Sequence, residues 1–101
     1  MKKTLFALFI GASALSPALS DQALAQAKNC LACHALDHKV VGPAYKDVAA
    51  KYKGDKTAAE KLASKILKGG SGVWGPVPMP ANTQVSEAEA KKLASWILSI
   101  K

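Results

Sequence analysis

Cys30-Leu31-Ala32-Cys33-His34 constrains this chain more than any other stretch. Two thiols three positions apart lie on one side of a helical turn. Each can add to one vinyl group of a single porphyrin, and the histidine directly after the second thiol then sits under the iron as its proximal ligand. The chain contains two cysteines, so the motif uses its whole thiol inventory. Three other readings use the same residues. A redox dithiol sits in a βαβ setting, and no strand pattern occurs here. A structural zinc site needs four ligands, usually in two spaced pairs, whereas Cys30, Cys33, His34 and His38 crowd together with no second knuckle. A disulfide between Cys30 and Cys33 would close a loop too short to constrain much chain. Covalent haem c through Cys30 and Cys33 is therefore the expectation.

Residues 1–20 read as an export signal. Met1-Lys2-Lys3 is a short positive start, Leu5 to about Leu15 is apolar, Pro17 breaks the run, and Ala18-Leu19-Ser20 matches a cleavage pattern. Cleavage is expected before Asp21, with a second candidate before Gln26. The apolar run is shorter than the ~20 residues a membrane span needs. Residues 21–101 then form one small domain. Such a domain buries limited apolar surface, and a covalently held haem would serve as its missing core. Export agrees with this, because haem c is attached outside the bacterial cytoplasm.

Charge narrows the class of partner. The fourteen basic residues are all lysine; removing Lys2 and Lys3 and setting the rest against seven acidic residues leaves +5. A nucleic-acid binder would use arginine forks and a clustered basic face. Scattered lysines instead predict a mild preference for acidic partners.

The periodicity is helical throughout. A first helix is expected over 22–30 with Asp21 as N-cap and Leu24, Ala27 and Leu31 facing the core. Val40-Val41-Gly42-Pro43 is an apolar turn. A ligating imidazole usually donates its other N–H to a carbonyl, and Gly42-Pro43 is the candidate to supply one; Pro43 also suits the start of the next helix. His38 reads as a surface residue. A second helix is expected over 44–52, with Tyr45, Val48, Ala49 and Tyr52 on one face. A third spans 58–68, with a Thr57/Glu60 capping box and Ala59, Leu62, Ala63 and Ile66 buried. The last begins at Ser86, which pairs with Glu89 in a second capping box. Its apolar stripe is Ala90, Leu93, Trp96, Ile97 and Ile100, and it should pack across the first helix.

Gly69 to Val85 is a long loop for a compact domain, and loops of that length are usually functional or disordered. Pro78-Met79-Pro80 is its centre. The prolines fix φ and restrict the residue before each, so Met79 is held on a stiff extended segment. Once the signal is removed Met79 is the remaining methionine. With a haem motif upstream, its thioether is the expected second axial ligand.

With these stretches in view, the chain resembles the small bacterial class I cytochromes c of the c-551/c-552 type. The likeness is carried by C-L-A-C-H at 30–34, V-G-P-A-Y-K-D-V-A at 41–49, G-G-S-G-V-W-G-P-V-P-M-P at 69–80 and the terminal A-S-W-I-L-S-I-K. It implies an all-α fold of about four helices around one haem, with His34 and Met79 axial. It implies that the Pro43 carbonyl accepts from His34, that Trp74 and Lys65 lie near a haem propionate, and that Asn82 hydrogen-bonds the Met79 sulfur. Some relatives carry Arg where Lys65 stands and Pro where Ala81 stands. The function implied is one-electron transfer by a monomeric periplasmic protein, between a membrane cytochrome complex as donor and a periplasmic reductase or terminal oxidase as acceptor. A haem enzyme or gas sensor would need an open sixth site with distal acid–base residues, and no distal His, Arg or Asp stands near Met79 in sequence.

Overall fold

A computed structural model describes residues 20–101. The signal segment expected over 1–20 lies outside the described residues except for Ser20. Four α-helices follow in order: α1 (Asp21–Ala27), α2 (Tyr45–Lys51), α3 (Ala58–Lys68) and α4 (Glu87–Leu98). Among the described residues there is no strand, only two isolated bridges, His34 with Lys39 and Gly70 with Met79.

Helix α4 organises the rest. It packs against α3, α2 and α1, while those three make no comparable contact with one another. The core is correspondingly thin: Leu24 and Ala25 from α1, Tyr45 and Val48 from α2, Leu62, Ala63 and Ile66 from α3, Val85, and Ala90, Leu93, Ala94 and Ile97 from α4. A third of these are alanines, which bring little apolar area. Small side chains on α4 let its neighbours approach closely, and the space those neighbours leave between them becomes a cavity.

Several expectations change in detail. Ser20, not Asp21, caps α1, its hydroxyl accepting from Ala23 N at 3.2 Å. The helix stops at Ala27 instead of continuing through Cys30, because Asn29 adopts a left-handed conformation with φ 67°. Asn is among the few non-glycine residues that do so readily. Ala27 is exposed in consequence, and Ala25 takes its place in the core. In α3 Ala58 is buried where Ala59 was expected.

The Thr57/Glu60 capping box does not form. Thr57 has φ −98° and ψ 2° and its side chain caps nothing, since an N-cap needs extended backbone. Asp55 takes over, accepting from Thr57 N at 2.8 Å and Thr57 Oγ1 at 2.7 Å and pairing with Lys61 Nζ at 3.0 Å. The Ser86/Glu89 box is present with both reciprocal bonds, 3.1 Å and 2.9 Å.

The Asp55 cluster predicts an acid-sensitive step. The hydrogen bonds from Thr57, then Lys61, hold the Asp55 carboxyl down at about 2. A carboxyl depressed on folding adds stability above its unfolded pKa, roughly 3.9, and loses it as pH falls through its folded value. Asp55→Asn should therefore lower the thermal midpoint at neutral pH. Its difference from wild type should shrink between about pH 4 and about pH 2. Melting curves across that range check this.

Candidate functional site

The haem motif sits on a tight turn. Cys30–Ala32 is a single 3₁₀ turn, closed by Cys33 N donating to Cys30 O at 3.2 Å, and His34 N donates to the same carbonyl at 3.0 Å. Residues three apart eclipse in 3₁₀ geometry, so Cys30 and Cys33 share one side. Both are half-buried and unpaired. Burial pushes the Cys30 thiol up, with a hydrogen bond to Tyr45 pulling partly against it. A dithiol redox catalyst needs the opposite shift. Among the described residues no group of three His, Cys, Asp or Glu is placed to hold a metal ion.

His34 is fixed from several directions. Its Nδ1 donates to Pro43 O at 2.8 Å, as expected, and that bond selects the tautomer whose Nε2 lone pair is free for a metal. The turn carrying Pro43 folds back because Val41 N and Gly42 N both donate to Cys33 O, at 3.1 Å and 2.7 Å. Gly42 then lies so close to the imidazole that a Cβ would stand against Cε1, 2.8 Å from Nδ1 and 2.9 Å from Nε2. No side chain has room there. Tyr45, 4% exposed, stacks on the ring with centroids 4.9 Å apart and planes at 19°. Trp96 braces Tyr45 edge-on at 5.6 Å. Burial, then the neighbouring Cys30, raises the Tyr45 phenol, so it stays protonated.

The sequence showed Tyr45 as a core residue and Gly42 as a turn residue. Their contact with His34 was not readable, because it depends on where the chain returns.

Met79 is held by a backbone bridge to Gly70. Gly70 N and Met79 O bond at 2.9 Å, and Met79 N and Gly70 O at 2.8 Å. Gly69, with φ 71°, brings α3's end so close that a Cβ would press on Met79 O and lie 2.7 Å from Ala81 N. Only glycine suits both demands. Asn82 anchors the exit, its backbone N and its Nδ2 both donating to Ile66 O, at 3.1 Å and 2.9 Å. The side-chain donor bond that Asn82 makes here runs to α3, whose last turn offers a carbonyl to accept it.

These segments border a cavity of about 620 Å³. Cys30, Cys33, His34, Pro43, Lys65, Trp74 and Met79 all line it, together with apolar side chains from α2, α3 and α4. Of the expected site residues, Asn82 alone stands outside the lining, behind the methionine segment. Trp74 is 44% exposed at the rim, with the Lys51 ammonium 5.6 Å from its ring centroid. The Lys65 ammonium lies beside Gly70, 2.8 Å from where a Cβ would stand. His38 is exposed, paired with Asp37 at 2.9 Å, and is not among the lining residues.

The residues present fit a haem. The cavity is apolar and holds the two thiols. Its lining also includes an imidazole whose Nδ1 is satisfied by Pro43 O, and a methionine. Both glycine contacts leave no space for a side chain where the ligand-bearing segments are held.

Comparison with known proteins agrees with this geometry. The family model for cytochrome c matches residues 22–101. Cytochrome c-552 of Hydrogenobacter thermophilus is 55% identical over 101 residues, covering 100% of both chains. Cytochrome c-552 of Nitrosomonas europaea is 57% identical over 84 residues, 83% of this chain and 82% of its own. The crystal structure of that Nitrosomonas europaea protein superposes with a TM-score of 0.75 at 59% identity, over 77% of this chain and 96% of the other. The chain thus has the class I cytochrome c fold and belongs to the cytochrome c family, among the small monohaem electron-transfer proteins of the c-551/c-552 group.

Proposed function

We propose that this chain is a soluble, monomeric, periplasmic electron carrier whose haem c is bonded to Cys30 and Cys33 and ligated axially by His34 Nε2 and Met79 Sδ. The observation that supports this reading is a single, largely apolar cavity whose lining includes Cys30, Cys33, His34 and Met79. When bound, haem c supplies a one-electron Fe(III)/Fe(II) couple.

The protein's residues do the rest. Pro43, Gly42 and Tyr45 keep the His34 ring from turning, which limits the rearrangement each electron transfer requires. Pro78 and Pro80, with the Gly70 bridge, do the same for Met79. A soft thioether favours the reduced state. The apolar lining disfavours the extra charge of the oxidised state. Both raise the potential. With both axial positions filled no substrate reaches the metal, so the protein is a carrier and not an enzyme. Lys65 and Trp74, at the rim, are the residues proposed to meet a propionate, and Asn82's second amide hydrogen is the one proposed to meet the thioether.

Partners would approach the rim, where Val41, Val73, Trp74 and Val77 expose apolar surface and Lys39, Lys51, Lys61 and Lys65 surround it. Exposed apolar groups edged mainly by lysine, with Asp47 the acidic residue among the cavity lining, suit brief docking to acidic faces. Such faces would belong to a membrane cytochrome complex as donor and to a periplasmic reductase or terminal oxidase as acceptor. Among the described residues no helix is long and apolar enough to cross a membrane.

The absorption spectrum of the purified ferric protein tests the reading. The weak thioether-to-iron charge-transfer band is expected. A high-spin spectrum would point instead to an open sixth site, and a spectrum without haem would end the cytochrome reading.

A further inference from the structure

The haem-anchoring turn and the methionine segment are joined a second time, outside the cavity. Lys28 stands two residues before Cys30, and Gln84 five after Met79. Gln84 Nε2 donates to Lys28 O at 2.9 Å and to Asn82 Oδ1 at 3.1 Å. Both hydrogens of that amide are therefore used. Lys28 Nζ donates back to Gln84 O at 3.1 Å and lies 3.4 Å from Glu89 Oε2. Glu89 closes the α4 capping box, so the clasp is itself tied to a helix start.

The consequence falls on Asn82. An asparagine amide has one acceptor end and one donor end. Gln84 holds the acceptor end and Ile66 O the donor end. Flipping the amide would set donor against donor and acceptor against acceptor. Gln84 thereby fixes which end of Asn82 faces α3 and the methionine segment it anchors. Asn82 begins only three residues after Met79, so its orientation and the segment's exit are set together.

We infer that Gln84 is a positioning residue for Met79: acting through Asn82 and the Lys28 carbonyl, it keeps the thioether on the iron. This rests on Met79 being the axial ligand proposed above. Gln84 is exposed, so its replacement should leave the fold standing, and its effect should appear in how often the sixth position opens.

Imidazole binding to the ferric holoprotein reads that opening, because imidazole enters only when Met79 has left. Gln84→Ala and Gln84→Leu should each raise the apparent imidazole affinity about 5-fold, the equivalent of one net hydrogen bond. The thioether band without imidazole should remain. The double variant Gln84→Ala/Asn82→Ala should bind imidazole less tightly than the two single effects combined would give, because one acts through the other. Wild-type affinity in both Gln84 variants, or strictly additive effects, would overturn the inference while the Met79 assignment stood. A wild-type protein without the thioether band would overturn both. A general loss of stability is separated by the thermal midpoint, which should move little compared with the affinity.

Discussion

Replacing Cys30 and Cys33 together by Ala should abolish covalent haem and, with it, the cooperative fold. The reason lies in the architecture. Helices α1, α2 and α3 each lean on α4 and not on one another, and the space between them is a cavity of about 620 Å³. That cavity opens at a rim where Trp74 is exposed, so without the haem its apolar lining would face water. The chain without its haem must therefore flood the cavity or collapse it. Either outcome separates Tyr45 and His34 from the rest of the core. Leu93 is the one large side chain that is almost completely buried among the described residues, so little remains to hold the helices once the plate is gone. The expected result is a bare polypeptide mass after acid–acetone extraction, weak helical circular dichroism and no cooperative thermal transition. Wild type should retain the mass of one haem under the same extraction. A wild-type mass equal to bare polypeptide would defeat the assignment of Cys30 and Cys33.

What could be read from the sequence follows how locally each feature is determined. The haem turn needs five consecutive residues, so it was fully legible. The Gly42-Pro43 turn was legible as the source of an acceptor because proline has no N–H and leaves its carbonyl free, and His34 Nδ1 does donate to Pro43 O. Met79 stands out in sequence because both its neighbours are proline and a haem motif lies upstream, and the structure brings it into the cavity lining. Lys65, Trp74 and Asn82 carry no such local signature, and their roles came from resemblance; the structure brings the first two to the rim and turns the third to Ile66.

The errors have the same origin. Ser20 and Asp21 are adjacent residues of cap-forming type, and the choice between them depends on backbone dihedrals. Thr57 has the right partner at Glu60, yet Asp55 two residues earlier reaches both its N–H and its hydroxyl first. Asn29 ended a helix that apolar spacing would have continued. The least legible features were the close approaches at Gly42 and Gly69 and the clasp at Gln84. Each depends on a segment that returns from elsewhere in the chain, and helical periodicity carries no information about that.

Met79→Ala should leave haem attached through Cys30 and Cys33 and His34 in place, while changing the chemistry of the opposite face. The two ligand-bearing segments are built separately. His34 is held by Pro43 O, Gly42 and Tyr45, none of which depends on the methionine side chain. The segment around Met79 is held through backbone bonds to Gly70, which alanine preserves. The substitution therefore removes a ligand without dismantling its support. The thioether band should disappear and the potential should fall, because the soft ligand that favours Fe(II) is gone. If the Met79-off state is about one part in a hundred in wild type, external ligands such as cyanide should bind about 100-fold more tightly once it is permanent. Weak peroxidase activity should accompany the open site. Val77→Ala is the control: it lies two residues away, lines the cavity edge but is 61% exposed, and should keep the thioether band, exclude cyanide and shift the potential far less than Met79→Ala, with only a small loss of stability. A Met79→Ala protein that keeps the wild-type potential and still excludes cyanide would show that another residue is axial. His38, exposed, paired with Asp37 and not among the lining residues, would then have to be brought in by a rearrangement of the 34–42 turn, which His38→Ala would reveal.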